Sequence, residues 1–303
     1  MTASIIVPAT TANLGAGFDC VGAALTLYNE FEFTPLPEGE PLQITATGLE
    51  ADRVACDESN LAYRSFVKLY EQINQPVPSV RIAIALNVPL ARGLGSSATA
   101  IVGGLLGANV LAGSPLSKDA VMKLAIAIEG HPDNVVPALI GGCQLAASTN
   151  SDWAICAIDW HFEIVPIVAS PNFELSTAEA RRVLPQTYSR ADAIFNVAHF
   201  GLLLRGLQTN HADWLKSALQ DRIHQPYRKV LIRGYNAIEQ AALAAGAYGL
   251  VISGAGPTLL ALASGDRASD VAAAMREAWR SIDVDPQVQI LAIDPQGARI
   301  STR

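Results

Sequence analysis

Val88-Pro89-Leu90-Ala91-Arg92-Gly93-Leu94-Gly95-Ser96-Ser97-Ala98-Thr99 joins an apolar segment, residues 80–88, to an uncharged Ala/Gly-rich segment that opens at the two serines. The first segment reads as a strand. The second, apolar on every side, reads as a helix over 96–111 buried at the centre of its domain. A strand that runs through glycines into a helix N-terminus is the order of parts for an anion site. Glycines let the backbone approach a ligand, freed amides point inward, and the helix field favours negative charge. A phosphate is the expected anion. Neither a Walker A loop nor a GxGxxG dinucleotide loop occurs in the chain, so the cradle belongs to another class.

A chain of 303 residues exceeds one minimal core and implies two domains. With 50% hydrophobic and 16% charged residues it folds compactly, and a net charge of −7 argues against a nucleic-acid surface. The first basic residue is Arg53, so the early positive region of a signal peptide is missing and a cytoplasmic protein is expected. Two charge-free runs, 93–117 and 240–265, are long enough for a membrane span. Gly/Ser and Gly/Pro turns interrupt both, which lipid does not tolerate, so they read as buried elements of a soluble protein with no membrane partner. Cys20, Cys56, Cys143 and Cys156 form no CxxC pair and make no zinc or iron–sulfur pattern with the five histidines.

Residues 3–8 read as a strand. It leads into 9–19, a small, glycine-punctuated stretch with two readings: a hairpin turn, or a ligand loop presenting Asn13 and Asp19. Strands follow at 25–34 and near 42–47, then a helix to about residue 73 capped by Ser59 or Asn60. Ser117 caps a helix over 118–129 that ends on Glu129, where the helix field repels a carboxylate and a cation or arginine is needed to offset the cost. A hairpin of strands 143–147 and 154–158 turns around Asn150-Ser151-Asp152. A boundary near 159–161 divides the chain into domains 1–159 and 160–303. The second half opens with a strand at 163–168 and a Ser176/Glu179 capping box. Helices follow over 190–208 and 211–219, with a long one from Pro226 to Gly246. Strands 248–252 and 259–263 flank Ser253-Gly254-Ala255-Gly256-Pro257-Thr258, and a helix 268–279 and strand 288–293 finish a split βαβ pattern.

The three glycine loops, in this order and spacing, resemble those of the GHMP small-molecule kinases. Pro8-Ala9-Thr10-Thr11-Ala12-Asn13-Leu14-Gly15-Ala16-Gly17-Phe18-Asp19 matches the first motif, residues 88–99 the second and 253–258 the third. The Asn-Leu-Gly-x-Gly-Phe-Asp form, His131-Pro132-Asp133-Asn134-Val135 and Ser176-Thr177-x-x-x-Arg181 resemble the homoserine kinase branch. The resemblance spans nearly the whole chain. It implies a two-domain α+β GHMP kinase fold with a left-handed βαβ unit in the first domain and a ferredoxin-like second domain. It also implies a cytoplasmic homodimer that uses ATP and Mg²⁺ to phosphorylate the side-chain hydroxyl of L-homoserine in threonine biosynthesis. Relatives acting on mevalonate, an isoprenoid alcohol or a sugar are the alternative.

By the same resemblance, Arg181 and Arg228 meet the substrate carboxylate, a task suited to planar guanidinium groups. Asn13 and Asp19 lie near its ammonium and hydroxyl, with His131 and Asn134 on the same side. Asn13, Thr177 and Arg181 carry the catalytic positioning and charge. The ATP loop comprises Pro89, Leu90, Ala91, Arg92, Gly93, Leu94, Gly95, Ser96, Ser97, Ala98 and Thr99, and Asn60 lies near the base or ribose. Ser97 and Glu129 are assigned to Mg²⁺, a hard cation that takes few protein oxygens; the sequence does not separate the two serines, and Ser96 is either the metal's serine or a helix cap. Plainer readings stand beside these: surface helix arginines for Arg181 and Arg228, a structural histidine for His131, a helix cap for Asn60. One departure is visible, since Gly130 alone separates Glu129 from His131 where homoserine kinases typically have several residues. No aspartate–lysine pair of the mevalonate kinase kind is present.

Overall fold

The computed structural model describes residues 2–150 and 152–302, so Ser151 of the expected hairpin turn lies outside the described residues. The chain opens with β1 (Ala3–Ala12) and β2 (Val21–Pro35), an antiparallel pair that is longer at both facing ends than expected. β3 (Gln43–Gly48), α1 (Leu61–Gln72) and β4 (Val80–Leu86) follow, and α1 is the crossover between the parallel strands β3 and β4. Asn60 accepts bonds from the amides of Ala62 and Tyr63 and so caps α1.

α2 (Ser96–Leu111) is buried along most of its length, as its uncharged sequence requires. Its glycines are what allow this. A Cβ on Gly103 would come within 2.6 Å of the Phe31 ring, and one on Gly107 within 2.3 Å of Phe33, so the helix lies directly on aromatic side chains of β2. α3 (Lys118–Glu129) and α4 (Pro132–Ile140) come next, joined by Gly130, at φ 89°, and His131. Pro137 within α4 has no N–H for the Asp133 carbonyl, and that carbonyl instead lies where a Cβ on Gly22 would fall, at 1.6 Å.

β5 (Cys143–Ser148) and β6 (Trp153–Ile158) extend the first sheet from the far half of β2. The second half then supplies β7 (Ile164–Ser170), α5 (Thr177–Arg182), α6 (Arg190–Thr209), α7 (Ala212–Ala218), α8 (Gln225–Arg228), α9 (Tyr235–Ala244), β8 (Gly249–Ile252), β9 (Leu259–Ser264), α10 (Ala268–Arg280), β10 (Gln287–Ile290) and β11 (Arg299–Thr302). The Ser176/Glu179 capping box forms in full.

The second sheet runs β10-β7-β9-β8, all antiparallel, which is the ferredoxin-like strand order expected of a split βαβ unit.

Three expectations change. The single helix from Pro226 to Gly246 is broken after Arg228 by a 3-10 turn (Lys229–Leu231) and by Gly234, whose φ of 79° sets the new start at α9. The last strand of the second sheet stops at Ile290, short of residue 293. β11, which had no sequence signal, pairs with β1 at the edge of the first sheet, so the end of the stretch 160–303 returns to the first half. Between the halves lies a shared apolar core. Leu14, Val21 and Leu94 pack there with Leu203, Leu207, Leu215 and Val251. That core sets the two halves against each other along one cleft. Among the described residues, no helix is long and apolar enough to cross a membrane.

Candidate active site

All three glycine loops meet at the cleft through backbone bonds. Thr10 N donates to Leu94 O (3.1 Å), Gly254 N to Ala12 O (2.9 Å) and Thr258 N to Arg92 O (3.1 Å). Ser253 Oγ sits 2.7 Å from Gly93 O and 2.8 Å from Thr11 Oγ1. The fit leaves no room for side chains: a Cβ on Gly93 would stand 2.3 Å from Ser253 O, and one on Gly95 1.9 Å from Thr10 Oγ1. Gly93 (φ 80°) and Gly95 (φ 67°) also adopt left-handed backbone conformations. The buried Asn29 fixes the entry to the loop, its Oδ1 accepting from the amides of Asn87 and Val88 and its Nδ2 donating to Thr99 Oγ1.

These loops wall a cavity of about 500 Å³. One end is apolar, formed by Val54, Leu61, Ala62, Ile84 and Leu86 with the polar Asn60 among them. Asn60 is therefore both the cap of α1 and part of the cavity wall, its Nδ2 donating to Ala55 O at 2.7 Å. The middle is the glycine loop at the N-terminus of α2. Ser96, Ser97 and Thr99 reach the cavity, whereas Pro89, Leu94 and Ala98 are not on its wall and Leu94 and Ala98 are buried in the core. The helix cap is Gly95, with no side-chain bond, so the capping role open to Ser96 is absent.

Ser97 Oγ instead donates to Glu129 Oε1 at 2.7 Å. Glu129 leaves the unfavourable end of its own helix and faces the favourable N-terminus of α2. A phosphate seated on the same helix end would confront this carboxylate. A hard cation between them suits the arrangement, and a hydroxyl with one carboxylate is a Mg²⁺-type oxygen set. No group of three or more His, Cys, Asp or Glu side chains that could hold a metal unaided occurs among the described residues.

The other end is charged. Arg181 makes a bidentate pair with Asp19, Nη1 to Oδ2 at 2.9 Å and Nη2 to Oδ1 at 2.8 Å. Arg228 is 1% exposed; its Nε donates to Ala180 O (3.1 Å) and its Nη1 to Gly254 O (3.2 Å). It has no carboxylate within ion-pair distance among the described residues, and burial holds its pKa below the ordinary arginine value. Phe18 lies between the two cations, its ring 4.9 Å from the Arg228 guanidinium carbon and 5.9 Å from that of Arg181. A buried cation without a partner is costly unless a ligand supplies the anion.

Around this end, His131 Nδ1 is 2.7 Å from Asp133 Oδ1, and that hydrogen bond raises the histidine pKa. Asn134 accepts from Thr10 Oγ1 at 2.8 Å. Asn13, at φ 62°, donates to Gly254 O (2.8 Å) and accepts from Asp19 N (2.8 Å), so its amide ties the first loop to the third. Cys20 is held as a thiol, burial and then the Asp133 and Asp19 charges pushing its pKa up to about 11. Thr177, on the first turn of α5, lines the same wall.

The cleft thus gathers Asn13, Asp19, Asn60, Ser97, Glu129, His131, Asn134, Thr177, Arg181 and Arg228. Several participants had no sequence signal, namely Asn29 on a strand read as half exposed and Glu50 and Glu174, which hold Arg92, while Phe18 was visible only as part of the first motif and not as the ring beside both arginines. Arg92 itself is 9% exposed and bonded to protein groups throughout, an anchor of the loop.

Fold and cleft together define a small-molecule kinase of the GHMP class: residues 60–142 match the model of the GHMP kinases N terminal domain and 202–281 that of the GHMP kinases C terminal domain. A homoserine kinase of Trichormus variabilis is 66% identical over 97% of both chains, and one of Trichodesmium erythraeum is 63% identical over 98% of both. The crystal structure of homoserine kinase from Cytophaga hutchinsonii superposes with a TM-score of 0.90 at 29% identity, covering 99% of this chain and 97% of that one. The L. major mevalonate kinase shares the fold at a TM-score of 0.73 and 16% identity. The chain belongs to the homoserine kinase family.

Proposed function

We propose that this chain transfers the γ-phosphoryl group of ATP to the side-chain hydroxyl of L-homoserine, giving O-phospho-L-homoserine and ADP in threonine biosynthesis. The observation that carries the substrate is the charged end of the cleft. Buried Arg228 and the Arg181–Asp19 pair offer two cations and one anion around Phe18. A zwitterion complements that set: its carboxylate meets Arg228 and Arg181, and its ammonium meets Asp19. Arg181 and Asp19 then exchange one mutual pair for two pairs to the substrate. Mevalonate and sugars lack the ammonium and would leave Asp19 without a cation of their own.

The opposite end takes the nucleotide, with the base toward Val54, Leu61 and Leu86 and the phosphates on the amides of residues 93–98. Ser97 and Glu129 would hold Mg²⁺, which supplies charge neutralisation for the phosphates. The bond from the γ-phosphorus to the bridging oxygen breaks as the bond to the homoserine oxygen forms, and the hydroxyl proton passes to the transferred phosphate. The cleft contributes alignment and charge stabilisation, with the loop amides and Arg181 facing the transferring group. Asn13 and Thr177 orient the acceptor, Asn13 through the loop geometry that its two hydrogen bonds impose. A cytoplasmic homodimer is the expected working form.

ATP-dependent phosphorylation assays with homoserine, mevalonate and galactose test this reading. Turnover confined to homoserine is expected, and turnover of mevalonate or galactose in its place overturns the assignment. Asn13→Ala and Asp19→Ala rates at saturating substrate address the proton. A loss of kcat confined to Asp19→Ala, with a matching change in the pH profile, would mark Asp19 as a general base and sink direct transfer to phosphate.

A further inference from the structure

Arg92 lies within the glycine loop, but its guanidinium reaches across to the other half of the chain. Nε donates to Pro171 O (3.1 Å) and Nη1 to Leu90 O (2.7 Å) and Glu174 Oε1 (3.0 Å). Nη2 donates to Glu50 Oε1 (3.1 Å), and the other oxygen of Glu50 accepts from Leu90 N (2.8 Å). Arg53 pairs with both Glu50 and Glu174, closing a ring of two arginines and two glutamates at the rim of the cavity. Pro171 follows the last residue of β7, and Glu174 lies just ahead of the Ser176 cap of α5, the helix that carries Thr177 and Arg181. One side chain therefore touches the phosphate loop and the segment that delivers the substrate arginine. The left-handed Ala91 (φ 52°) beside it marks a conformation that outside contacts must hold.

We propose that the Arg92–Glu174 pair couples the two substrate sites, so that a nucleotide seated on the glycine loop favours the α5 position that receives the amino acid. This rests on the kinase reading above. ATP phosphates fix the loop and with it the Arg92 backbone. Arg92 then holds Glu174 through a charge-assisted bond that is largely shielded on the arginine side. Glu174 in turn holds the start of α5. Neither residue touches the reacting atoms; both are positioning residues. Because binding linkage is reciprocal, homoserine must tighten nucleotide binding by the same factor.

Calorimetric titration of homoserine with and without a non-hydrolysable ATP analogue and Mg²⁺, and of the analogue with and without homoserine, measures that factor. The intact protein should show mutual tightening of roughly five-fold or more, the lower range of measured couplings. In Glu174→Ala the factor should fall to within about two-fold of one, with each ligand alone bound within about two-fold of the intact protein. Glu174→Gln keeps an acceptor for Arg92 and should recover part of the coupling. In steady-state kinetics Glu174→Ala should raise KM for homoserine at saturating ATP more than it changes kcat. Mutual tightening retained in Glu174→Ala, or homoserine binding without any coupling in the intact protein, overturns the proposal and leaves the kinase reading intact. No homoserine binding in either condition overturns both.

Discussion

Where the proposed phosphates would sit, at the glycine loop, the surface of the cleft is largely backbone. Gly93, Gly95 and the first turn of α2 come from one continuous stretch, and the neighbouring loops press so close that a Cβ would strike them. At the amino-acid end the surface is largely side chains, brought from separate segments: Asp19 from the β1–β2 loop, His131 and Asn134 from the start of α4, Arg181 from α5 and Arg228 from α8. The close backbone contacts leave the glycine loop little freedom to change shape. The second substrate is what differs among relatives, and side chains on independent elements can change without disturbing the cradle. Specificity and phosphate binding are therefore carried by different kinds of surface, joined by the Arg92–Glu174 pair, the bond from Arg228 to Gly254 O and that from Thr10 to Asn134.

Substitutions at the two ends should separate accordingly. Gly93→Ala places a methyl against the Ser253 carbonyl in a left-handed conformation, displacing the second and third loops together. Turnover should fall on the order of 100-fold or more whichever substrate is varied, because reacting groups move out of line. Near-normal kcat in this variant would break the idea of a cradle defined by close backbone contact.

Arg228→Met should act mainly at the other end. Loss of the substrate's buried cation should lower kcat/KM for homoserine by roughly 100-fold with little change in KM for ATP. The melting temperature should hold within about 3 °C, since losing the bonds to Ala180 O and Gly254 O is offset by removing a buried cation that has no carboxylate partner. A large fall in melting temperature without a change in homoserine KM would make Arg228 structural. Glu129→Gln should sharpen the nucleotide end. The Mg²⁺ concentration for half-maximal rate should rise about ten-fold, with KM for homoserine nearly unchanged. An unaltered Mg²⁺ dependence would remove Glu129 from the metal.

The smallest effect concerns pH. The bond to Asp133 raises the folded pKa of His131, so the folded chain holds that proton more tightly than the unfolded one. The pair's stabilisation is complete below the unfolded histidine pKa of about 6.5 and is lost as pH rises through the higher folded value. Melting temperatures of the intact protein and His131→Asn should differ by about 2 °C in acid and converge in alkali. Buried His224 works oppositely. Burial lowers its pKa, so its contribution to stability is lost as pH falls from the unfolded value. The His131→Asn comparison removes that background, because both proteins carry His224.

Much of the local structure around the cleft was legible along the chain. Helix 96–111, the Ser117 cap, the Asn60 cap and the Ser176/Glu179 box all form where local chemistry places them. What failed were places where distant contacts decide. Residues 226–246 have helical composition throughout, yet the helix stops after Arg228 and restarts beyond Gly234, with Arg228 buried in the cleft. Residues 299–302 carry no strand pattern because they form an edge strand that only β1 defines. Asn29 read as part of a half-exposed strand; only the fold brings the amides of Asn87 and Val88 to it.

Residues 88–99 by themselves determined that a strand meets a buried helix around an anion, because glycine backbone freedom and helix polarity are properties of adjacent residues. The motifs around them, taken in order, determined the kinase class. Which serine meets Glu129, that Asp19 and Arg181 pair before substrate arrives, and that Arg92 reaches Glu174 were decided only by the tertiary structure. Each of these joins residues far apart in the chain, and contact between them exists only once the shared apolar core has set the two halves against each other.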